Sequence, residues 1–236
     1  MFGLILSAPD AMHEELDALL AAHDIPLSGF TDAPSPILST STQNEFLHAA
    51  ADALLRPGTS LPADAVLDCL RGDARPGNVL RRLICLQLSL LPYLRVHHAV
   101  TELAGGHLIG DCLLAAVPDA EDRVDCLLPD GAWTDLMTGE VHTGKLRCLR
   151  SLSAVPILVR ENTLLPIGVD DRHTDHDDAD HLTLHWYQPQ GSAACTLADG
   201  TAYSVQMDNG LIHFESASTK PYHLIVHQDG SETLVH

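Results

Sequence analysis

HLIGDCLLAAVPDAEDRVDCLLPDGAWTDLMTGE, residues 107–140, decides how the chain is read. Short apolar runs are punctuated here by Gly110-Asp111 and by Pro129-Asp130-Gly131. Runs of about five to eight residues bounded by such turn residues read as strands. The punctuation continues in VPILVRENTLLPI (155–167), HLTLHWYQP (181–189), TAYSV (201–205), LIHFES (211–216) and YHLIVHQDG (222–230). Pro129-Asp130-Gly131, Asp199-Gly200, Asn209-Gly210 and Asp229-Gly230 lie between runs and predict antiparallel hairpins. The chain from residue 105 onward is therefore expected to form antiparallel β-sandwich domains, a proximal one over 105–169 and a distal one over 170–236.

Upstream of residue 105 the period changes. His13 to Ala22 and Asn44 to Leu55 are amphipathic, and Asn78 to Val100 is apolar on nearly every face, the mark of a buried helix. Asn78 is expected to cap that helix, with Pro76 just before it and a kink at Pro92. Turn-rich TDAPSP (31–36) and RPGTSLP (56–62) separate the helices. The fold class expected is α+β: a helical segment over 1–104, then the sandwiches.

Composition narrows the partners. Of the 236 residues, 13 are Lys or Arg and 32 are Asp or Glu, giving a formal charge of −19. Nucleic acid and anionic membrane both require a basic face, so neither is expected. No apolar run approaches a membrane span, and the opening MFGLILSAP lacks the basic n-region of a secretory signal. A cytoplasmic location is expected. Cys69, Cys85, Cys112, Cys126, Cys148 and Cys195 are scattered, without a C-x-x-C pair, and read as buried free thiols.

Three stretches, in order, point to a family. LRRLICLQLSLLPYL (80–94) resembles the helix that closes the catalytic barrel of glycoside hydrolase family 31, the α-glycosidases that include α-glucosidases and α-xylosidases. Residues 107–140 resemble that family's first strands after the barrel, where a Gly-Asp-x-Leu-Leu-x-Ala-x-Val strand precedes Leu-Pro-x-Gly-x-Trp and a Thr-Gly-Glu turn; here the strand reads Gly-Asp-Cys-Leu-Leu-Ala-Ala-Val (110–117). VPILVRENTLLPIGVDD (155–171) is similar to the last strands of the proximal domain, and its Val-Arg-Glu-Asn-Thr-Leu-Leu form is especially similar to the α-xylosidase branch. The resemblance implies that residues 1–104 are a truncated remnant of a TIM barrel. It also implies an α-linked oligosaccharide as partner and hydrolysis of O-glycosidic bonds without metal or organic cofactor.

The chemistry of that family is harder to find. A retaining mechanism needs two carboxylates about 5 to 5.5 Å apart, and the family's nucleophile motif, Asp-x-Asn-Glu or Asp-Phe-Gly-Glu, has no match here. Its acid/base motif, His-Asp-Ile-Gly-Gly-Phe, is similar to His23-Asp24-Ile25-Pro26-Leu27-Ser28-Gly29-Phe30, which makes Asp24 the acid/base candidate. A second alignment places Pro26 to Phe30 on the preceding barrel strand and deletes the acid/base. Only 104 residues precede residue 105, against about 250 in a complete (β/α)8 barrel. The expectation is a non-catalytic glycosidase relative. The alternatives are an active hydrolase pairing Asp24 with Asp10, Asp32 or a second chain, and a self-association module. Leu83, Leu86 and Leu90, on a helix that once packed on a barrel, favour a homo-oligomer.

Two further clusters have plain readings. Residues 172–181, RHTDHDDADH, resemble a metal site but fit no compact zinc spacing and read as a solvated acidic loop. His97 and His98 are expected on the helix, and His185, His213, His223 and His227 outward on strands. Trp133 is expected to plug the space between the sheet and its neighbour, and Arg160 to pair with a carboxylate.

Overall fold

The computed structural model describes residues 4–31, 33, 35, 43–54, 56, 59–71, 74–119, 121–150, 155–169 and 177–235. The N-terminal part is not purely helical. It alternates β1 (Ile5–Ser7), α1 (His13–Ala22), β2 (Gly29–Thr31), α2 (Gln43–Leu54), β3 (Leu61–Pro62), α3 (Ala63–Arg71), α4 (Ala74–Ser89) and α5 (Leu91–Leu94). The strands are two and three residues long, too short for a two-residue period to register in sequence. They form a parallel sheet of order β2-β1-β3, with the first strand in the middle. A barrel would instead place strands beside one another in chain order.

The helix boundaries follow local chemistry. Apolar periodicity marks α1 at both ends, and Leu16 and Leu20 of that helix are buried. The long apolar stretch is two helices: α4 begins at Ala74, ahead of Pro76 and Asn78, so Asn78 is not its cap. Pro76 is tolerated because first-turn amides have no intrahelical partner. The chain breaks at Leu90, and Pro92 sits in the first turn of α5. Leu83 and Leu90 are buried and Leu86 packs against the same core, so the face expected to drive self-association is covered by the chain itself.

The proximal sheet has the order β4-β5-β6-β9-β7-β8, with β4 (Val100–Leu103), β5 (Gly106–Ile109), β6 (Leu113–Ala115), β7 (Arg123–Asp135), β8 (Val141–Leu149) and β9 (Ile157–Arg160). It coils until the β4–β5 turn meets β7, where the Leu127 amide donates to the Ala104 carbonyl at 3.1 Å. Pro129-Asp130-Gly131 is not a hairpin turn. It is a bulge within β7, whose register slips between Leu127 and Ala132. Trp133 is fully buried in the core of this sheet with Leu114, Val124, Leu128 and Leu158, not wedged between domains. Its Nε1–H donates to the Pro129 carbonyl at 2.9 Å, and the Arg160 guanidinium lies 6.0 Å over its ring.

The distal part pairs two sheets, β10-β11-β15-β16 and β12-β13-β14, made of β10 (Thr163–Ile167), β11 (Leu182–Tyr187), β12 (Ser192–Thr196), β13 (Ala202–Asp208), β14 (Leu211–Ser216), β15 (Tyr222–Gln228) and β16 (Ser231–Leu234). Leu182, Leu184, Trp186, Tyr203, Val205 and Leu224 fill the space between them. Antiparallel pairing prevails in both sandwiches, but β11 and β15 run parallel, because β12 to β14 serve as the crossover that a parallel pair requires. The change of sheet falls at Glu161-Asn162, between β9 and β10.

One core joins the helical part, the proximal sheet and one edge of the distal part. It holds Leu80, Ile84 and Leu94 from the helices, Leu113, Ile157 and Val159 from the proximal sheet, and Leu165 and Tyr187 from the distal one. A polar clamp reinforces it. Arg56, after α2, reaches Asp52 Oδ1 at 3.1 Å and Glu102 of β4 at 2.5 Å, while the fully buried His107 of β5 approaches Asp52 at 3.2 Å. Burial alone would raise the Asp52 carboxyl, yet His107 and Arg56 together hold it below its ordinary value.

Close approach at the junction depends on Gly110, which lies in the left-handed region at φ 63°. A Cβ there would stand 2.4 Å from Tyr93 Oη and 2.8 Å from His97 Cβ, so Gly110→Ala should cost at least about 2 kcal/mol in urea denaturation. A loss below roughly 0.5 kcal/mol would contradict this packing.

Two histidines of the distal part depart from expectation, whereas His213 and His223 are exposed. His185 and His227 turn inward, with Nδ1 of the first and Nε2 of the second 2.7 Å apart, and the Tyr187 ring stacked 4.3 Å from His227. Burial, then the neighbouring His227, pushes His185 down to about 4, and His227 is also lowered by burial. The folded state thus binds fewer protons than the unfolded chain. This part of the stability should be complete above about pH 6.5 and disappear as pH falls through about 4, a loss of about 3 kcal/mol for His185. Urea midpoints measured against pH should show it, and His185→Gln should flatten the profile over that window. The Asp52 contribution is lost only below about pH 4, so the two separate.

Candidate functional site

Parallel α/β sheets place their sites at the carboxyl ends of the strands. Here that end is formed by the residues after β1 and β2. Asp10 opens a 3-10 turn, Asp10–Met12, that leads into α1. Its carboxylate is almost wholly exposed and lies 3.8 Å from the His13 ring. His13 stacks on Phe30 with centroids 3.6 Å apart, and Ser7 Oγ donates to the Ala33 carbonyl at 2.8 Å. Asp32 lies outside the described residues.

Asp24 is at the other end. It follows α1, five residues before β2 begins, and β2 runs parallel to β1. The Ser28 amide donates to the carbonyl of Leu4, one residue ahead of β1, so this segment enters at the amino ends of the strands. Asp24 adopts φ 54° in the turn that closes α1. Its carboxylate pairs with the Arg81 guanidinium of α4 at 2.6 Å, and Arg81 Nε donates to the Asp24 carbonyl oxygen at 3.0 Å. The ten residues of α1 separate Asp10 from Asp24, a rise of about 15 Å. The structure therefore does not bring these two carboxylates together at the separation of a retaining pair.

The other sequence features find structural partners. Arg160 donates to the Asp130 carbonyl at 3.2 Å rather than to a carboxylate. Of the acidic loop, residues 170–176 lie outside the described residues. Asp178, nearly buried, pairs with Arg95 at 2.5 Å, and Asp177 pairs with Lys220. No group of three metal-ligating side chains occurs among the described residues. The six cysteines are free, with Cys69, Cys112 and Cys126 buried. His97 and His98 follow α5 rather than lying on a helix. No helix among the described residues is long and apolar enough to cross a membrane.

Sequence reasoning missed a cleft where the three parts meet. A space of about 160 Å³ lies between α5, the β5–β6 turn, β10 and β12, bordered by Tyr93, Asp111, Cys112, Thr163, Cys195 and other residues. Gly110-Asp111 was legible as a turn, but not the approach of that turn to Tyr93, which is decided by tertiary packing. Asn162, in the left-handed region at φ 54°, fixes one wall. Its Oδ1 accepts from Trp186 Nε1 at 3.2 Å and from the Gln190 amide at 2.9 Å, while its Nδ2 donates to the Ser192 carbonyl at 2.8 Å.

No family model and no curated protein matches this chain by sequence. Solved structures do match by fold. A cycloalternan-forming enzyme from Listeria monocytogenes, in complex with a pentasaccharide substrate, superposes with a TM-score of 0.69 at 18% identity, over 95% of this chain and 27% of its own. A GH31 dextranase from Flavobacterium johnsoniae, complexed with glucose, gives 0.65 at 17% identity over 78% of this chain and 30% of its own. A glucosidase II α subunit gives 0.64 at 13% over 80% and 27%. The chain spans under a third of the length of each neighbour, and at these identities the likeness is one of fold. What the chain carries is a partial glycoside hydrolase family 31-like fold.

Proposed function

We propose that this chain is an α-glycosidase-related protein of carbohydrate metabolism, similar to the α-xylosidases and α-glucosidases, that associates with α-linked sugar but does not hydrolyse it on its own. The observation that carries this reading is the position of Asp24. It sits at the amino ends of the parallel strands, bound to Arg81, with a whole helix between it and Asp10. An acid/base must present a proton to the leaving oxygen while a second carboxylate faces the sugar from about 5 to 5.5 Å away. In this reading Asp24 is a structural anchor between α1 and α4.

The fold likeness supports the carbohydrate context. The neighbour covering 95% of this chain includes the N-terminal α/β part in its match, which favours descent of that part from a barrel even though its strands now pair in the order β2-β1-β3. The alternative reading, an active hydrolase, would pair Asp24 with Asp32 or with a carboxylate supplied from elsewhere.

Incubation of the purified chain with an aryl α-xyloside and an aryl α-glucoside tests this directly. Wild type and Asp24→Asn should both release aryl alcohol at the buffer rate, and the substitution should cost no more than about 1 kcal/mol of stability, as befits an exposed ion pair. Turnover by wild type that Asp24→Asn abolishes would overturn the proposal.

A further inference from the structure

The cleft at the three-way junction has a size and a lining that belong together. At about 160 Å³ it is comparable with a cavity of about 150 Å³ that accepts one benzene ring, so it admits a single six-membered ring. Its lining mixes apolar residues, Pro92, Leu164, Pro166 and Ala194, with the polar Asp111, His97, Thr163 and Thr196. A carboxylate only accepts, a hydroxyl both donates and accepts, and a neutral imidazole does one at each nitrogen. A pyranose has the matching mixed character, with hydroxyls around its rim for the polar groups and C–H faces for the apolar ones.

The cleft is also built rather than incidental. Tyr93 Oη donates to the Ile109 carbonyl at 2.8 Å and receives the Cys112 thiol at 3.2 Å, while its ring stacks on His97 with centroids 4.5 Å apart. Gly110 allows that packing, since any Cβ would collide with Tyr93 and His97. Asn162 holds the opposite wall through Trp186, Gln190 and Ser192. Burial pushes the Cys112 thiol up to about 11 and the Cys195 thiol up to about 12, so both are neutral thiols near pH 7 and act as wall, neither nucleophile nor metal ligand.

We infer that this cleft binds one pyranose, a free monosaccharide or a single sugar unit of a larger ligand, with Asp111, Thr163, Thr196 and His97 receiving its hydroxyls. The site is remote in sequence from Asp24 and needs no catalytic group. It deepens the carbohydrate reading given above and rests on it only for the ligand class. Because its walls come from the helical part, the proximal sheet and the distal sheet, occupancy should stabilise all three together.

The test is titration of the ¹⁵N-labelled chain with D-xylose and D-glucose to tens of millimolar, with benzyl alcohol as an apolar ring of similar size and isomaltotriose as a longer ligand. Saturable shifts at the amides of Asp111, Thr163 and Thr196 with either monosaccharide are expected. Ala194→Trp, an exposed position that the larger side chain turns into a plug, should abolish them, and Thr196→Ala should weaken binding about fivefold, as for one lost hydrogen bond. A melting temperature for each variant close to wild type establishes that the change is local. Monosaccharide binding that survives Ala194→Trp in the folded variant would overturn the cleft as the site and leave the carbohydrate reading standing. Binding of isomaltotriose without shifts at the cleft would do the same. Benzyl alcohol binding in place of sugars would overturn the ligand class, and no response to any saccharide would remove both proposals.

Discussion

The contact between Tyr93 and the side-chain-free Gly110 is the constraint on which the molecule depends. Tyr93 lies in the short helix that ends the α/β part, and Gly110 in the first turn of the proximal sheet. Their approach lets the tyrosine hydroxyl satisfy the Ile109 carbonyl inside the protein, where an unmet backbone acceptor would be costly. Around it, apolar side chains from helices and both sandwiches merge into one core. A three-stranded parallel sheet with two- and three-residue strands could not hold itself together alone. Packed on a sandwich, it has a partner for its buried face.

This arrangement also accounts for where chemistry is and is not available. The carboxyl ends of the short strands retain His13, Phe30 and an exposed Asp10, whereas Asp24 has been committed to holding α1 against α4. Polar groups gather instead at the junction, a place that exists only because three parts of the chain meet there. Structural roles explain the motifs that first suggested a glycosidase. Leu-Pro-Asp-Gly-Ala-Trp forms a bulge folded over its own tryptophan, and the Asn162 of Arg-Glu-Asn-Thr satisfies the buried indole of Trp186.

Much of the β half was legible because hairpin chemistry is local. Asn209-Gly210 and Asp229-Gly230 both have the paired positive φ values that tight hairpins need, and α1 begins and ends where its apolar period does. What escaped was non-local. Strands of two or three residues carry no period, and the bulge at Pro129-Asp130-Gly131 has the same residues as a turn. α3 lies inside a stretch whose flanking Pro and Gly drew attention to turns. The inward rotation of His185 and His227 depends on which face of β11 and β15 the rest of the chain covers, and alternation alone does not say which. The sequence around Asp24 is similar to a motif, but the end of the sheet that Asp24 occupies follows only from the parallel pairing of β1 and β2.

The shared core is tested most directly by asking whether helices and proximal sheet melt together. In a Trp186→Phe variant, Trp133 alone reports the proximal core by fluorescence, while circular dichroism at the helical band reports the N-terminal part. The account predicts coincident thermal transitions. Loss of helix at a distinctly lower temperature, with Trp133 still buried, would show two independent units and contradict it.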